Sequence, residues 1–392
     1  MRLLLVGGTG VLSSAVASEA LKKGISVTMI NRGNRKAVEG AEVIVCDCHK
    51  YGELLKRLEG QWFDAIIDFL CYSEGELVKS FEVYSRFTGQ YIFISSCAVY
   101  AKGTPSLKQE HFPKPNKLWF YSIAKWNCEQ RLAALAKVAD CRWTVIRPAI
   151  TYDNTRIPYG ISPKYGFHWT LCARILSGKP IITWNGGKNV YNMLRVEDFA
   201  VGAVGLIGNE KAYGEAFNIC GDQTPSFKEV LDEVASYVGK EAITVDVTPE
   251  FYARELPERA GEILGGRAKD ATNSNAKIKS VVPAFRQTIF LKDGVKKTLD
   301  AYKAQNFQKG IDWNFDAQTD RIVAKWCREN GVSARKYNLE FVNYIGTATF
   351  RDRLHYMQIR YRGRIWTRVL GISARIVWNL ARLICGNVCC QR

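Results

Sequence analysis

Over the first 150 residues the chain alternates short unbroken apolar runs with stretches of helical spacing. Residues 2–6, Arg-Leu-Leu-Leu-Val, lead into glycine, the pattern of a strand buried on both faces. Residues 11–23 carry Ala and Leu at helical spacing, and Gly24 stops that helix. Ile25 to Ile30 is β-branched and predicts a second strand. The pattern then predicts a strand at 42–46, a helix at 51–58, a strand at 65–69, a helix at 75–87, a strand at 90–95, a long helix at 121–138 and a strand at 143–146. Strands alternating with helices in this way predict a parallel, doubly wound α/β sheet.

The regularity breaks after about residue 150, where Pro, Gly, Trp and Tyr become frequent through Lys188. Residues 197–207 read as one more helix of the first domain. Residues 225–238, 250–264 and 288–304 offer short helices between loops. The expected division is a first domain over 1–150 that also receives about 190–207, a smaller mixed α/β domain over 151–330, and a helical tail over 331–392.

Composition adds three constraints. Apolar content of 47% and charged content of 24% are those of an ordinary folded protein with ample core. The twelve cysteines are scattered, with no C-x-x-C pair, and the four histidines, His49, His111, His168 and His355, form no cluster. No metal site is therefore expected, and the thiols read as reduced. Met1 leads into a strand-like run, not a secretory leader, so the expected compartment is cytoplasmic. The net charge of +17 is uneven: residues 343–392 hold nine Arg, one Asp and no Lys, a net of +8.

Two residue groups carry chemistry. Gly7, Gly8, Thr9 and Gly10 follow the first strand, so backbone N–H groups there, with the start of the next helix at Val11 and Leu12, are placed to cradle a pyrophosphate. Ser13 stands where a third glycine is usual and is small enough to pack closely. At the end of the second strand Asn31-Arg32 replaces the acidic residue that would hold a ribose in an NAD enzyme. Arg32 could pair with a 2′-phosphate, so NADP is slightly favoured over NAD. Asp47, followed by Cys48, comes after the third strand and could accept from an adenine amino group.

The second group is Tyr121-Ser-Ile-Ala-Lys125, with Ser96 placed 25 residues before the tyrosine. A free tyrosine titrates near 10 and is a poor base at neutral pH. A lysine four residues on shares its helix face and stabilises the phenolate. Tyr121 could then move a proton on a sugar hydroxyl while Ser96 hydrogen-bonds the same oxygen.

With these residues the chain resembles an extended short-chain dehydrogenase/reductase of the NAD-dependent epimerase/dehydratase kind, which modifies nucleotide sugars. Ser95-Ser96-Cys97-Ala98-Val99-Tyr100, Ile146-Arg147-Pro148 with Tyr152, Arg195-Val196-Glu197-Asp198-Phe199-Ala200 and Glu215-Ala216-Phe217-Asn218-Ile219 match its motifs, over roughly residues 1–310. The resemblance implies a Rossmann domain, Pro148 beside the nicotinamide, Lys125 on its ribose, and a homodimer. It also implies substrate contacts at Ser96, Cys97, Tyr121, Tyr191 and Arg195. Cys97-Ala98 replaces the Asp-Glu pair of the 4,6-dehydratases, which leaves epimerisation or net reduction. Tyr191 stands where epimerases often carry an arginine clamp for the diphosphate. Asp270 to Lys279, then Val282, Pro283 and Phe285, resembles epimerase-like proteins related to chloroplast stem-loop RNA-binding proteins. The intact Tyr/Lys pair makes nucleic acid the less expected partner.

In residues 364–384, Arg368, Arg375 and Arg382 recur every seven residues beside a wide apolar face with Trp366. Such a helix could lie on an anionic membrane surface or dock on protein. It is too interrupted by Arg to span a bilayer.

Overall fold

The computed structural model describes residues 1–101, 107–306, 310–346 and 348–363. In chain order the first part runs β1 (Arg2–Val6), α1 (Val11–Lys22), β2 (Ser26–Asn31), β3 (Glu42–Val45), α2 (Tyr51–Leu58), β4 (Ala65–Asp68), α3 (Glu74–Tyr84), β5 (Gln90–Ile94), α4 (Phe120–Ala136) and β6 (Arg142–Pro148). There follow β7 (Ile150–Tyr152), α5 (Trp169–Leu176), β8 (Ile181–Thr183), β9 (Met193–Arg195), α6 (Val196–Val204), β10 (Glu215–Ile219), α7 (Phe227–Val238) and β11 (Thr244–Asp246). The last elements are α8 (Pro249–Glu255), α9 (Ala276–Val281), α10 (Leu291–Ala304), α11 (Trp313–Glu329) and α12 (Phe350–Arg360).

Seven strands form one sheet in the order β10-β6-β5-β4-β1-β2-β3, with each neighbouring pair parallel. Successive side chains of a strand point to opposite faces, and the core divides accordingly. Leu3 and Leu5 of β1 pack with Val16 and Ala20 of α1 and Phe199 and Ala203 of α6. Leu4 and Val6 pack on the other face with Leu54 of α2, Leu77 and Phe81 of α3, and Cys128 and Leu132 of α4. This is the doubly wound parallel sheet the sequence predicts. The direction of strand addition reverses between β1 and β4, and open α/β sheets bind ligands beyond the strand ends at such a point.

The described residues form two compact units. One comprises Met1–Ile161, Trp184–Glu233 and Thr248–Thr298, and so holds the whole seven-stranded sheet together with the β7–β9 pair. The other comprises Ser162–Thr183, Val234–Val247 and the described residues from Leu299 onward. It contains the parallel β8–β11 pair, α5, α11 and α12.

One expectation changes in detail. The helix expected over 250–264 breaks at Leu256, because the residue before Pro257 is driven out of the helical region; a 3-10 turn and then a π-helix, Gly261–Arg267, follow. The basic amphipathic helix expected over 364–384 lies outside the described residues. Among the described residues no helix is long and apolar enough to cross a membrane.

The second unit is organised by buried charge. Arg174 of α5 reaches Asp316 and, at 2.9 Å, Asp320, both on α11. Lys179 reaches the same two carboxylates at 3.2 and 2.5 Å. All four side chains are fully buried. Tyr344 donates to Asp316 at 2.7 Å, and Tyr356 of α12 donates to Asp320. Two cations and two anions balance, so removing one leaves a buried charge uncompensated. Asp316→Ala is expected to cost about 3–5 kcal/mol, read as a lower urea midpoint. A loss below about 0.5 kcal/mol would contradict the role given to the cluster.

Candidate active site

The turn after β1 is a braced loop. Gly7 and Gly8 both donate to the Ile30 carbonyl, at 3.1 and 3.3 Å, which ties the loop to β2. Gly7 has φ of +85°, a region open to glycine at no steric cost, and a Cβ there would lie 2.5 Å from Leu70 Cγ across the switch point. Ser13, buried in the first turn of α1, accepts from Gly10 N–H at 2.8 Å and donates to the Gly7 carbonyl at 2.7 Å. Serine is therefore more than a small stand-in for glycine, since its hydroxyl fixes both ends of the loop. Thr9, Val11 and Leu12 are half-buried at the start of α1, where helix N–H groups lack intrahelical partners and the dipole favours an anion.

Beside this loop Asn31 ends β2. Its Oδ1 accepts from Gly33 N–H at 2.8 Å, so the amide orientation is set, and its buried Nδ2 has no partner among the described residues. Arg32 is exposed. A second arginine, Arg35, donates to the Thr9 carbonyl at 3.2 Å. The sequence reading passed over Arg35, since only its return across the loop makes it relevant. Asp47 accepts from the His49 backbone at 3.0 Å, the bond that does most to hold its carboxyl below the usual range. Burial pushes the Cys48 thiol up to about 12. Asp47, Cys48 and His49 gather their ligand-type atoms together, but hydrogen bonding among these sequence neighbours accounts for the grouping, and a thiol so hard to ionise is a poor metal ligand.

The second group assembles at the ends of β4 and β5. Lys125, in the second turn of α4, is 2% exposed. Its ammonium donates to the Cys71 carbonyl at 2.6 Å and to the Ile94 carbonyl at 2.9 Å, and it lies 6.0 Å from the centre of the Tyr121 ring. Ile94 ends β5 two residues before Ser96, so this one cation ties α4 to the strand end that carries the serine. Burial lowers the pKa of Lys125. Ser96 accepts from Ala98 N–H at 3.1 Å, which leaves its hydroxyl proton to donate elsewhere. Tyr121 is half-buried against Trp119, with ring centres 5.1 Å apart.

Asp68, which the sequence reading did not single out, holds this arrangement in place. It is 1% exposed and ends β4. Its carboxylate accepts from Leu70 N–H at 2.8 Å, Tyr91 at 2.7 Å, Cys71 Sγ at 3.1 Å and the Ser80 hydroxyl. The loop it fixes carries both the leucine that packs on Gly7 and the carbonyl that holds Lys125. The signal was present, since an aspartate inside an apolar strand pattern needs a buried reason.

The remaining expected residues are engaged by the fold. The Cys97 thiol donates to the Arg147 carbonyl at 3.1 Å. Pro148 ends β6 beside Ile219 of β10, and Arg147 before it forms a buried two-pronged pair with Glu129, at 3.0 and 2.5 Å. Tyr191 is buried, stacks on Phe227 and donates to the carbonyls of Arg267 and Lys269 at 2.6 and 2.7 Å. Arg195 is buried and engages Glu197, Thr298 and Asn154 at 2.8–3.1 Å. Another guanidinium stands near Tyr191: that of Arg267 lies 5.9 Å from its ring centre, with Nε buried and unpartnered among the described residues. Arg267 ends the π-helix, whose glycines pack on the residues just before Tyr121. A Cβ at Gly265 would come within 2.8 Å of Trp119 Cβ.

A profile of the NAD-dependent epimerase/dehydratase family matches residues 3–220, more than half of the chain. The chain belongs to this family. An Arabidopsis thaliana chloroplast stem-loop binding protein of 41 kDa is 25% identical over 241 residues, 58% of this chain and 60% of that protein. The chain thus spans less than two thirds of that relative's length. A UDP-N-acetyl-α-D-glucosaminuronate decarboxylase of Bacillus cytotoxicus is 25% identical over 334 residues, 77% of this chain and 98% of the decarboxylase. Among solved structures, UDP-glucuronic acid 4-epimerase from Bacillus cereus, in complex with UDP-glucuronic acid and NAD, superposes with a TM-score of 0.61 at 18% identity, covering 78% of this chain and 99% of that one. UDP-glucose 4-epimerase from Thermotoga maritima gives 0.61 at 17%, covering 78% and 100%. At such identities these structures share the fold with this family member.

The residues present fit a nicotinamide dinucleotide. The glycine loop is braced open at a helix N-terminus, and Asn31 Nδ2 is an orphan donor beside it. The Asp68–Lys125 arrangement yields a pH prediction. The Asp68 charge favours the ammonium form of Lys125, so Asp68→Asn moves the lysine titration further down. Binding of reduced nicotinamide, followed by its fluorescence, is expected to fail at lower pH in this variant than in the wild type. Superimposable pH profiles would contradict the coupling.

Proposed function

We propose that the protein is an NAD(P)-dependent nucleotide-sugar epimerase that works through a keto-sugar intermediate. The observation that carries this reading is the buried Lys125 ammonium, held by the Cys71 and Ile94 carbonyls beside Tyr121. The dinucleotide would be held by Gly7, Thr9, Gly10, Val11 and Leu12 at its pyrophosphate, by Asn31, Arg32, Asp47 and Cys48 at its adenosine end, and by Tyr121, Lys125 and Pro148 at its nicotinamide end. When bound, it supplies a hydride acceptor that can return the hydride.

The chain's own residues manage the proton. Lys125 makes the Tyr121 phenolate accessible near neutral pH, and the phenolate takes the proton of a sugar hydroxyl. Ser96 donates to the same oxygen as it becomes a carbonyl. With a hydride returned to the other face of the turned keto sugar, Tyr121 would give the proton back to the oxygen, which completes inversion at that carbon. Arg267, whose guanidinium lies over Tyr191 and pairs with Glu262 at 3.5 Å, would take the diphosphate in place of the arginine that Tyr191 displaces.

A second reading is an NADPH-dependent keto-sugar reductase. Exposed Arg32 and the loop-bound Arg35 favour a 2′-phosphate, and a 2′-dehydrokanamycin reductase of Streptomyces kanamyceticus is 19% identical over 260 residues. A non-catalytic RNA-binding role, suggested by the chloroplast relative, leaves the Tyr121–Lys125 pair without a purpose. Cytoplasmic location, a homodimer and contact of the 364–384 segment with the inner membrane surface belong to the same proposal.

The test pairs Tyr121→Phe with the wild type on UDP-glucose and UDP-glucuronate, with NAD⁺ or NADPH, products being read by NMR. The epimerase reading predicts a new epimer with catalytic NAD⁺ and a fall of about 10²–10⁴-fold in the variant, with cofactor binding retained. Stoichiometric consumption of NADPH favours the reductase. A variant as active as the wild type contradicts the assigned proton path.

A further inference from the structure

Beside the cation that holds the Ile94 carbonyl, a second clamp holds the residue next to Ser96. Side chains alternate along a strand, so Tyr91, Phe93 and Ser95 share the face of the sheet that α4 covers, as do Val145 and Arg147 of neighbouring β6. Ser95 N–H donates to the Ile146 carbonyl at 2.7 Å, which carries the ladder one residue past Ile94. On α4 the residues at 121, 125 and 129 follow one another along one face. Glu129 is the member that meets both strands. The Ser95 hydroxyl donates to its Oε1 at 2.5 Å, Arg147 Nε donates to the same oxygen at 3.0 Å, and Arg147 Nη2 donates to Oε2 at 2.5 Å. All three side chains are buried.

The same arginine holds the chain on the other side of Ser96. Its carbonyl accepts from the Cys97 thiol at 3.1 Å, and its Nη1 donates to the Tyr100 hydroxyl at 3.0 Å. Tyr100 in turn donates to Asn218 Oδ1 at 2.6 Å. Ser96 therefore stands between two residues that Arg147 secures, Ser95 through Glu129 and Cys97 directly.

Charge balance does not account for the Ser95 bond, because Glu129 alone compensates Arg147. What the hydroxyl adds is register. A slip of one residue at the strand end would exchange the faces of Ser95 and Ser96. A bond from Ser95 to a carboxylate already gripped at both oxygens opposes that slip. Glu129 also lies about 12 Å along the helix from Tyr121, so one carboxylate fixes the tyrosine helix and the serine strand end against each other. We propose that Ser95 and Glu129 are positioning residues for Ser96, their hydrogen bond setting its hydroxyl where it and Tyr121 can meet one sugar oxygen. This assignment rests on the epimerase reading above, in which Ser96 and Tyr121 share that oxygen. Ser95 and Glu129 act only through Ser96.

The test is a double-mutant cycle on the full chain with NAD⁺ present, with initial rates on UDP-glucose and UDP-glucuronate. Glu129→Ala would strand the Arg147 charge, whereas Ser95→Ala leaves the ion pair whole, so the cycle uses Ser95→Ala, Ser96→Ala and the two together. The proposal expects Ser95→Ala to lower kcat about tenfold, with KM and cofactor binding held within about twofold. In the Ser96→Ala background the same change is expected to cost less than about twofold, because the group being positioned is gone. Thr144→Val is the control. It removes a buried hydroxyl that donates to the Ala212 carbonyl at 2.8 Å, toward the other end of β6, and is expected to lower the thermal midpoint while kcat holds. A Ser95→Ala loss that persists in the Ser96→Ala background overturns the proposal, as does an equal kcat loss in Thr144→Val. A wild type that turns over a sugar while Ser95→Ala matches its kcat refutes the positioning alone. A wild type that turns over neither sugar refutes the reading beneath it and the proposal with it.

Discussion

One buried cation organises the first unit. An ammonium at 2% exposure is costly unless its hydrogen bonds are met, and Lys125 meets them with the carbonyls of Cys71 and Ile94. Those carbonyls lie just beyond two adjacent parallel strands, so the helix carrying Tyr121 is held at the strand ends. The Cys71 loop is held in turn by Asp68, and Leu70 of the same loop packs where only glycine fits at position 7. Glycine loop, tyrosine helix and serine strand end thus hang on a short chain of contacts at the point where the strand order reverses.

A similar economy appears in the second unit, where Arg174 and Lys179 share Asp316 and Asp320. The cluster joins α5 to α11, and Tyr356 adds α12. Helix α11 buries eight of its seventeen residues, Asp316 and Asp320 among them. Paired charge fixes its register more sharply than apolar contact would, because a slip by one turn would strand four charges.

The sheet was legible because each of its strands through β6 is an apolar run bounded by turn residues, and buried parallel strands need little else. The glycine loop and the tyrosine–lysine pair were legible because their spacing is local. What escaped the sequence were contacts created by return of the chain. Arg35 matters only because it comes back to Thr9, and Arg267 only because it comes to lie over Tyr191. Tyr191 and Arg195 illustrate the reverse case. Their motif positions suggested substrate, but both are buried, with their polar atoms bonded within the fold. The helix over 250–264 failed at Pro257, a breaker that local reasoning should have weighed.

The central claim is that this fold holds a nicotinamide dinucleotide at the braced glycine loop. The most direct measurement is to denature the purified protein and identify the nucleotide it releases. The account predicts near-stoichiometric NAD⁺, a cofactor recycled in place. A protein that releases nothing, and that when supplied with NAD(H) or NADP(H) binds neither, would contradict it.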